Sequence, residues 1–347
     1  MPETIETQFR YAEMVEAFEW LCRQRKHFPS SSDIWSFRAS WERLRESLLD
    51  QVNTGRYCFS PLAAITKSDG KTIHLWCAQD ALVMKLLVSR LTTNLDLSRT
   101  CTHIKGNGGL KASINRTQKA LPHYQFVCKT DVKAFYESID QHILMAQIDQ
   151  HIKCKVMRRY LWQVVTRVID KGGNILSCKQ GISRGSALSP ILGALYLRVL
   201  DTAFENIDLF YLRYMHGILI LSKTRWQNRR AVKCLNRIFD ELKMIKHPDK
   251  TFIGKIVTGF DFLGYQFDGK VLSVVGKTIK KHQESMRRLY EQQAKKKANP
   301  DELALRLNAY LQRWTRWCKA GLNKTTLETF CEPIPAHTNL GLKARMC

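Results

Sequence analysis

Acidic residues are scarce in this chain. Its 347 residues hold 31 aspartates and glutamates against 55 lysines and arginines, a formal net charge of +24. The basic residues recur along most of the length instead of forming one tail, which points to a polyanion lying over an extended surface. The plainer alternatives are a basic surface with no specific partner, or contact with an anionic membrane. An aromatic content of 10% favours nucleic acid, because aromatic faces supply stacking platforms. Long apolar runs are also missing: no window approaches the ~20 uncharged apolar residues of a membrane span. The first residues, Met1-Pro2-Glu3-Thr4-Ile5-Glu6, carry no apolar core and exclude a secretory signal. The eleven cysteines include no Cys-x-x-Cys pair, so neither a zinc ribbon nor a disulfide framework is expected, and a reducing cytoplasm is the natural compartment. There is no internal repeat.

What is present is a chain with 44% apolar residues, long enough for a sizeable core and two or three subdomains. Residues 8–25 read as helix, and residues 33–52 as a second, with Phe37, Trp41, Leu44, Leu48 and Val52 three or four apart on one face. Residues 62–66 and 72–76 flank Ser68-Asp69-Gly70-Lys71, a hairpin turn signal. A helix follows from about Gln79, and then the glycine-rich Lys105-Gly106-Asn107-Gly108-Gly109, most simply a turn. Phe126 to Asp131 alternates with period two and reads as a strand ending in a carboxylate. Helical sequence is expected to about Ile169, a turn at Gly172-Gly173-Asn174, and a helix opened by Ser189 as N-cap and Pro190 as N1, with Leu192, Leu195, Tyr196, Val199 and Leu200 buried. Tyr214-Met215-His216-Gly217 lies between two apolar runs and reads as a hairpin tip. A helix over residues 226–243 and a basic, helical C-terminal third complete the pattern. Strand, helix, strand pair, helix and strand in that order predict an α+β fold with an antiparallel sheet backed by helices.

Four stretches together resemble the reverse transcriptases. Thr130-Asp131-Val132-Lys133-Ala134-Phe135-Tyr136 is similar to that family's first carboxylate motif, and Arg184-Gly185-Ser186-Ala187-Leu188-Ser189-Pro190 to its second. Tyr214-Met215-His216-Gly217 stands at the Tyr-x-Asp-Asp hairpin, Lys250 in the fourth motif, and Phe262-Leu263-Gly264-Tyr265 in the primer grip. The resemblance covers about residues 55–320 and is nearest to bacterial group II intron and retroelement members, although the short tail leaves no room for an endonuclease domain. It implies a right-hand polymerase: N-terminal helices and fingers over residues 1–120, palm over 121–270, helical thumb over 271–325 and a tail over 326–347.

The resemblance also implies roles. Asp131 would bridge two magnesium ions, or manganese ions, with the Val132 backbone carbonyl assisting. Tyr136 would be the aromatic gate against a ribose 2′-hydroxyl, with Arg184 and Gly185 along the nucleotide pocket. Lys250 would act as acid on the leaving pyrophosphate or as a phosphate contact. Tyr214 and Met215, with the Phe262–Leu263–Gly264–Tyr265 turn, would meet the primer. The implied partners are an RNA template, a DNA primer and deoxynucleoside triphosphates, and no membrane.

Two departures follow. In place of the family's Lys-x-Arg, the fingers hairpin has Lys71-Thr72-Ile73-His74, leaving Lys67 or Lys71 to hold the triphosphate. More seriously, His216 and Gly217 occupy both hairpin carboxylate positions, and neither is a magnesium ligand. Glu137 and Asp140 are expected to cap a helix or pair with bases, not to replace them. The expectation is RNA-directed DNA polymerisation by descent with impaired turnover; the alternative is a non-catalytic template–primer-binding scaffold of a mobile element or defence system.

Overall fold

The computed structural model describes residues 8–66, 70, 72–268, 272–295 and 300–322. Three helices open it: α1 (Tyr11–Gln24), α2 (Asp33–Ala39) and α3 (Trp41–Asn53). The single helix expected over residues 33–52 is therefore two. Ser40 interrupts it with φ −93° and ψ 1°, and its carbonyl starts α3 by accepting from the Arg43 and Leu44 amides. The stripe Phe37, Trp41, Leu48 and Val52 stays buried across the break, so periodicity alone hides it. Phe18 of α1 stacks on Trp41 with centroids 3.9 Å apart.

The hairpin β1 (Leu62–Thr66) and β2 (Thr72–Leu75) precedes α4 (Ala78–Asn94) and α5 (Gly109–Ala120). Then come β3 (Phe126–Asp131), the short α6 (Phe135–Ser138), α7 (Gln141–His151) and α8 (Lys155–Val165). Helix ends at Val165, earlier than expected. The β-branched run Val164-Val165-Thr166 and then Val168-Ile169 favours extended backbone, and β4 (Val168–Lys171) pairs with β5 (Asn174–Ser177) across the glycine turn. β4 also joins β1 in parallel, with Leu62 opposite Ile169. The resulting sheet, β2-β1-β4-β5, thus draws strands from two distant parts of the chain.

α9 (Ser189–Tyr196) begins one residue later than expected. Leu188 is its N-cap and Ser189 its first residue, with the Ser189 hydroxyl donating to the Ser183 carbonyl at 2.5 Å. The chain breaks again at Leu197 before α10 (Arg198–Glu205), which leaves Val199 exposed instead of in the buried stripe. β6 (Phe210–Tyr214) and β7 (Gly217–Ser222) form the hairpin, followed by α11 (Arg225–Glu241) and β8 (Phe252–Lys255). The order β6-β7-β3-β8 is antiparallel throughout.

This central sheet is buried on both faces. Cys128, Ile218 and Ile220 pack with Leu235, Ile238 and Phe239 of α11. The alternate residues Val127, Leu219 and Leu221 pack with Ile114, Phe260, Phe262 and Tyr265 on the other side. The period-two register thereby assigns each residue to one core or the other. β9 (Phe260–Phe262), β10 (Tyr265–Phe267) and β11 (Leu272–Val274) form a small antiparallel sheet, and α12 (Gly276–Lys295) packs on α13 (Pro300–Cys318). The palm–thumb boundary expected at 270/271 lies outside the described residues; β10 before it pairs with β11 after it. No helix among the described residues is long and apolar enough to cross a membrane.

Candidate functional site

Asp131 is the last residue of β3, and its register partner is Gly217, the first of β7. Tyr214 pairs with Gly217 to close a two-residue turn made by Met215 and His216. The sheet thus carries the two sequence stretches to one point. The Asp131 carboxylate is largely buried, at 14% side-chain exposure. Lys250 Nζ donates to its Oδ2. His216 Nε2 stands 3.3 Å from its Oδ1, facing that oxygen without the alignment of a hydrogen bond. The imidazole lies against the Phe135 ring at 5.5 Å and meets Tyr136 edge-on at 6.4 Å. Burial lowers the His216 pKa, Asp131 opposes this, and the Lys250 and Arg184 cations reinforce it. The ring is therefore mostly neutral near pH 7, and a neutral ring leaves the Lys250–Asp131 pair as the charged unit of the site.

The turn is held by two residues that the sequence reading did not single out. His103 Nδ1 accepts the Met215 amide proton at 3.0 Å, while its Nε2 donates to the Pro190 carbonyl at 3.2 Å. The bond accepted by Nδ1 needs the neutral ring with its proton on Nε2, and burial drives the His103 pKa down to about 4. From the other side Arg213 Nη1 donates to the Met215 carbonyl at 2.8 Å. Arg213 is fully buried against Asp201, whose Oδ1 accepts from Arg213 Nε and from the Tyr211 hydroxyl, both at 2.7 Å. Arg213 announces itself in retrospect, as a charge inside the strand sequence Phe210-Tyr211-Leu212-Arg213-Tyr214, where only a paired charge is tolerated. His103 carries no such signal; its role arises from the loop that places it.

Tyr136, Arg184, Gly185 and Met215 line one cleft of about 520 Å³, completed by Trp20 and Arg25 from the N-terminal helices and His74 from β2. Arg184 pairs with Glu137 at 2.7 Å. Asp140 caps α7 by accepting the His142 and Ile143 amides and binds Lys243 at 2.6 Å. Lys67 and Lys71, the expected triphosphate contacts, lie outside the described residues. Leu263 and Gly264 form the β9–β10 turn, both with positive φ. Tyr265 donates its hydroxyl to the Trp317 carbonyl at 2.6 Å and stacks on the Trp317 ring, tying this turn to α13. Phe262 reaches toward Gly217, so the Phe262–Tyr265 turn and the hairpin tip are neighbours.

Residues 65–267 match the family Reverse transcriptase (RNA-dependent DNA polymerase), well over half of the chain. The chain belongs to the reverse transcriptase family. It is also similar to the Saccharomyces cerevisiae "Putative COX1/OXI3 intron 2 protein", at 23% identity over 167 residues, 46% of this chain and 19% of the yeast protein. The chain thus spans about a fifth of the length of that relative.

Reverse transcriptases use divalent metal ions, and the residues of this one fit such an ion poorly. Magnesium needs several oxygen ligands in octahedral array. Here Lys250 holds one Asp131 oxygen and His216 faces the other. Glu137 and Asp140 are spent on Arg184 and on α7 with Lys243. The Val132 carbonyl adds one neutral donor at most. No cluster of three or more His, Cys, Asp or Glu side chains suited to a metal occurs among the described residues.

Proposed function

We propose that this reverse transcriptase-family protein binds an RNA template with a DNA primer and has lost efficient nucleotide addition. The observation that carries this reading is the Asp131–Lys250 ion pair facing His216 and Gly217. Where an active centre concentrates negative charge to gather divalent ions, this one offers a single carboxylate already neutralised by an ammonium. Magnesium or manganese would find Asp131 and the Val132 carbonyl and little else. Lys250 serves here as a structural counter-ion to Asp131, in place of the acid or phosphate contact suggested by the family.

The binding surfaces fare better. Tyr136, Arg184 and Gly185 line a cleft of nucleotide dimensions beside the hairpin tip, consistent with the gate and pocket roles. Tyr214 and Met215, together with the Phe262–Tyr265 turn, lie where a primer end would meet the sheet. In this reading the fingers comprise the N-terminal helices with all four strands of β2-β1-β4-β5, the palm is the central sheet, and α12 and α13 form the thumb.

Primer extension on an RNA template with a DNA primer tests the proposal, in magnesium and in manganese, with template–primer binding measured in parallel. The protein as it stands and Asp131→Asn are both expected to bind without extending. The double substitution His216→Asp with Gly217→Asp is expected to extend. Extension by the unaltered protein that disappears in Asp131→Asn would show that His-Gly is tolerated and the proposal is wrong.

A further inference from the structure

We propose that a groove at the opposite end of the central sheet binds single-stranded RNA, separately from the template–primer cleft. The groove, about 550 Å³, lies between α11 and the edge strand β8. Phe126 lines it and Asp131 ends the same strand, so the two sites are separated by five residues of β3, ~17 Å at ~3.3 Å per residue. α11 covers β7 and β3 but leaves the face of β8 open, with Ile253 46% exposed on the groove floor.

Its walls are cationic. Arg225 and Arg229 are four apart on α11 and share the groove face with Asn228 and Val232, while Lys255 projects from β8. None of the three bases has a carboxylate partner among the described residues. Cations in the first turns of a helix oppose its dipole, a cost that a bound anion offsets. The helix end itself is already satisfied, because Thr224 and Gln227 form a capping box. The side chains, not the helix terminus, make the site.

Two further features select the ligand. The Trp226 ring is 72% exposed, with the Arg229 guanidinium 5.6 Å from its centroid, a platform on which a base can stack. Asn228 is 96% buried (4% exposed), yet its Oδ1 has no donor and its Nδ2 reaches only the Val127 carbonyl, at 3.5 Å. That oxygen is closed to solvent, so a ligand donor reaches it when the Asn228 amide turns outward into the groove. Ribose 2′-hydroxyls and base amines supply such donors and phosphates the charge. A purely acidic peptide has no base to place on Trp226.

The inference does not depend on whether the chain polymerises. The test uses the full protein with its main cleft saturated by a labelled hairpin template–primer, titrated with a fluorescent single-stranded RNA 12-mer of mixed sequence. The triple substitution Arg225→Glu, Arg229→Glu and Lys255→Glu is expected to weaken the second RNA at least ~10-fold and to lower its salt slope by about 2. Hairpin binding should be unchanged. Trp226→Ala should weaken the second RNA at least ~5-fold while Trp226→Tyr retains it; circular dichroism verifies that each variant is folded. Equal affinity in the triple variant overturns the proposal, as does the absence of a second RNA on the unaltered protein. A 12-residue acidic peptide binding the groove more tightly than the RNA also overturns it, and assigns the surface to a protein partner.

Discussion

His103 Nδ1 receives the Met215 amide proton at 3.0 Å, so an imidazole from the loop before α5 fixes the backbone of the hairpin tip. Met215 has φ 55°, a left-handed conformation that is costly for a side chain with a β-carbon. The His103 contact on its N–H and the Arg213 contact on its carbonyl offset that cost. The turn is therefore held from both sides, and its tip presents His216 and Gly217 with no carboxylate.

That arrangement has a pH signature. His103 is neutral in the fold with a pKa near 4, against an ordinary 6.5 when unfolded. A lowered histidine pKa means its contribution is complete above pH 6.5 and drains away as pH falls toward 4. Stability should drop by about 1–3 kcal/mol across that window beyond what His103→Gln shows. Urea unfolding of the two proteins at several pH values measures the difference; parallel curves would remove His103 as the cause.

Arg213→Ala should be among the most damaging substitutions in the central sheet. It leaves Asp201 as an uncompensated buried carboxylate, which typically costs about 3–5 kcal/mol. Asp201→Ala should cost a similar amount, and the two losses should be far from additive in the double variant. Chemical denaturation of the three variants provides the cycle, and additive losses would show that the ion pair is not a unit.

Two glycines of neighbouring turns should respond unequally to the same substitution. Gly217 has no positive φ, and an added Cβ would meet only ordinary contacts, the nearest at 3.4 Å from the Tyr214 carbonyl oxygen. Gly217→Ala should change stability by no more than ~0.5 kcal/mol. Gly264 has φ +87°, and a Cβ there would lie 2.8 Å from the Trp317 ring. Gly264→Ala should cost about 1–3 kcal/mol. Thermal melts of both variants decide the contrast.

Divalent-ion binding should follow the carboxylates. Manganese titration monitored by electron paramagnetic resonance should find no binding that depends on Asp131 in the unaltered protein. His216→Asp with Gly217→Asp should gain a site, and Asp131→Asn in that background should lose it. An Asp131-dependent manganese site in the unaltered protein would contradict the fit argued from its ligands.

The legible parts of the fold were those with strong local patterns. Asp131 ends a strand that alternates visibly from Phe126, and Tyr214 to Gly217 is flanked by apolar runs, so each is legible without the other, and the sheet pairs them. The sequence predicts helix through β4 because Val168 and Ile169 follow helical sequence closely, whereas the strand is fixed by pairing of Ile169 and Asp170 with distant Leu62 and Ala63 and by the hairpin with β5. The break at Ser40 was hidden by an apolar stripe that both helices keep. His103 was invisible for a different reason: no spacing marks a histidine whose partners, Met215 and Pro190, lie 112 and 87 residues away.

The parallel seam between β1 and β4 has a consequence for the order in which the protein can form. Leu62 and Ile169 must meet across more than a hundred residues before β1 acquires its second neighbour. Closing so long a connection is entropically slow. During synthesis the β1–β2 hairpin therefore emerges with the outer edge of β1 bare, in addition to that of β2, and keeps it bare until β4 and β5 have left the ribosome. A fragment ending at residue 120 would carry that edge permanently and should self-associate, whereas one ending beyond Ser177 has the strand that covers it.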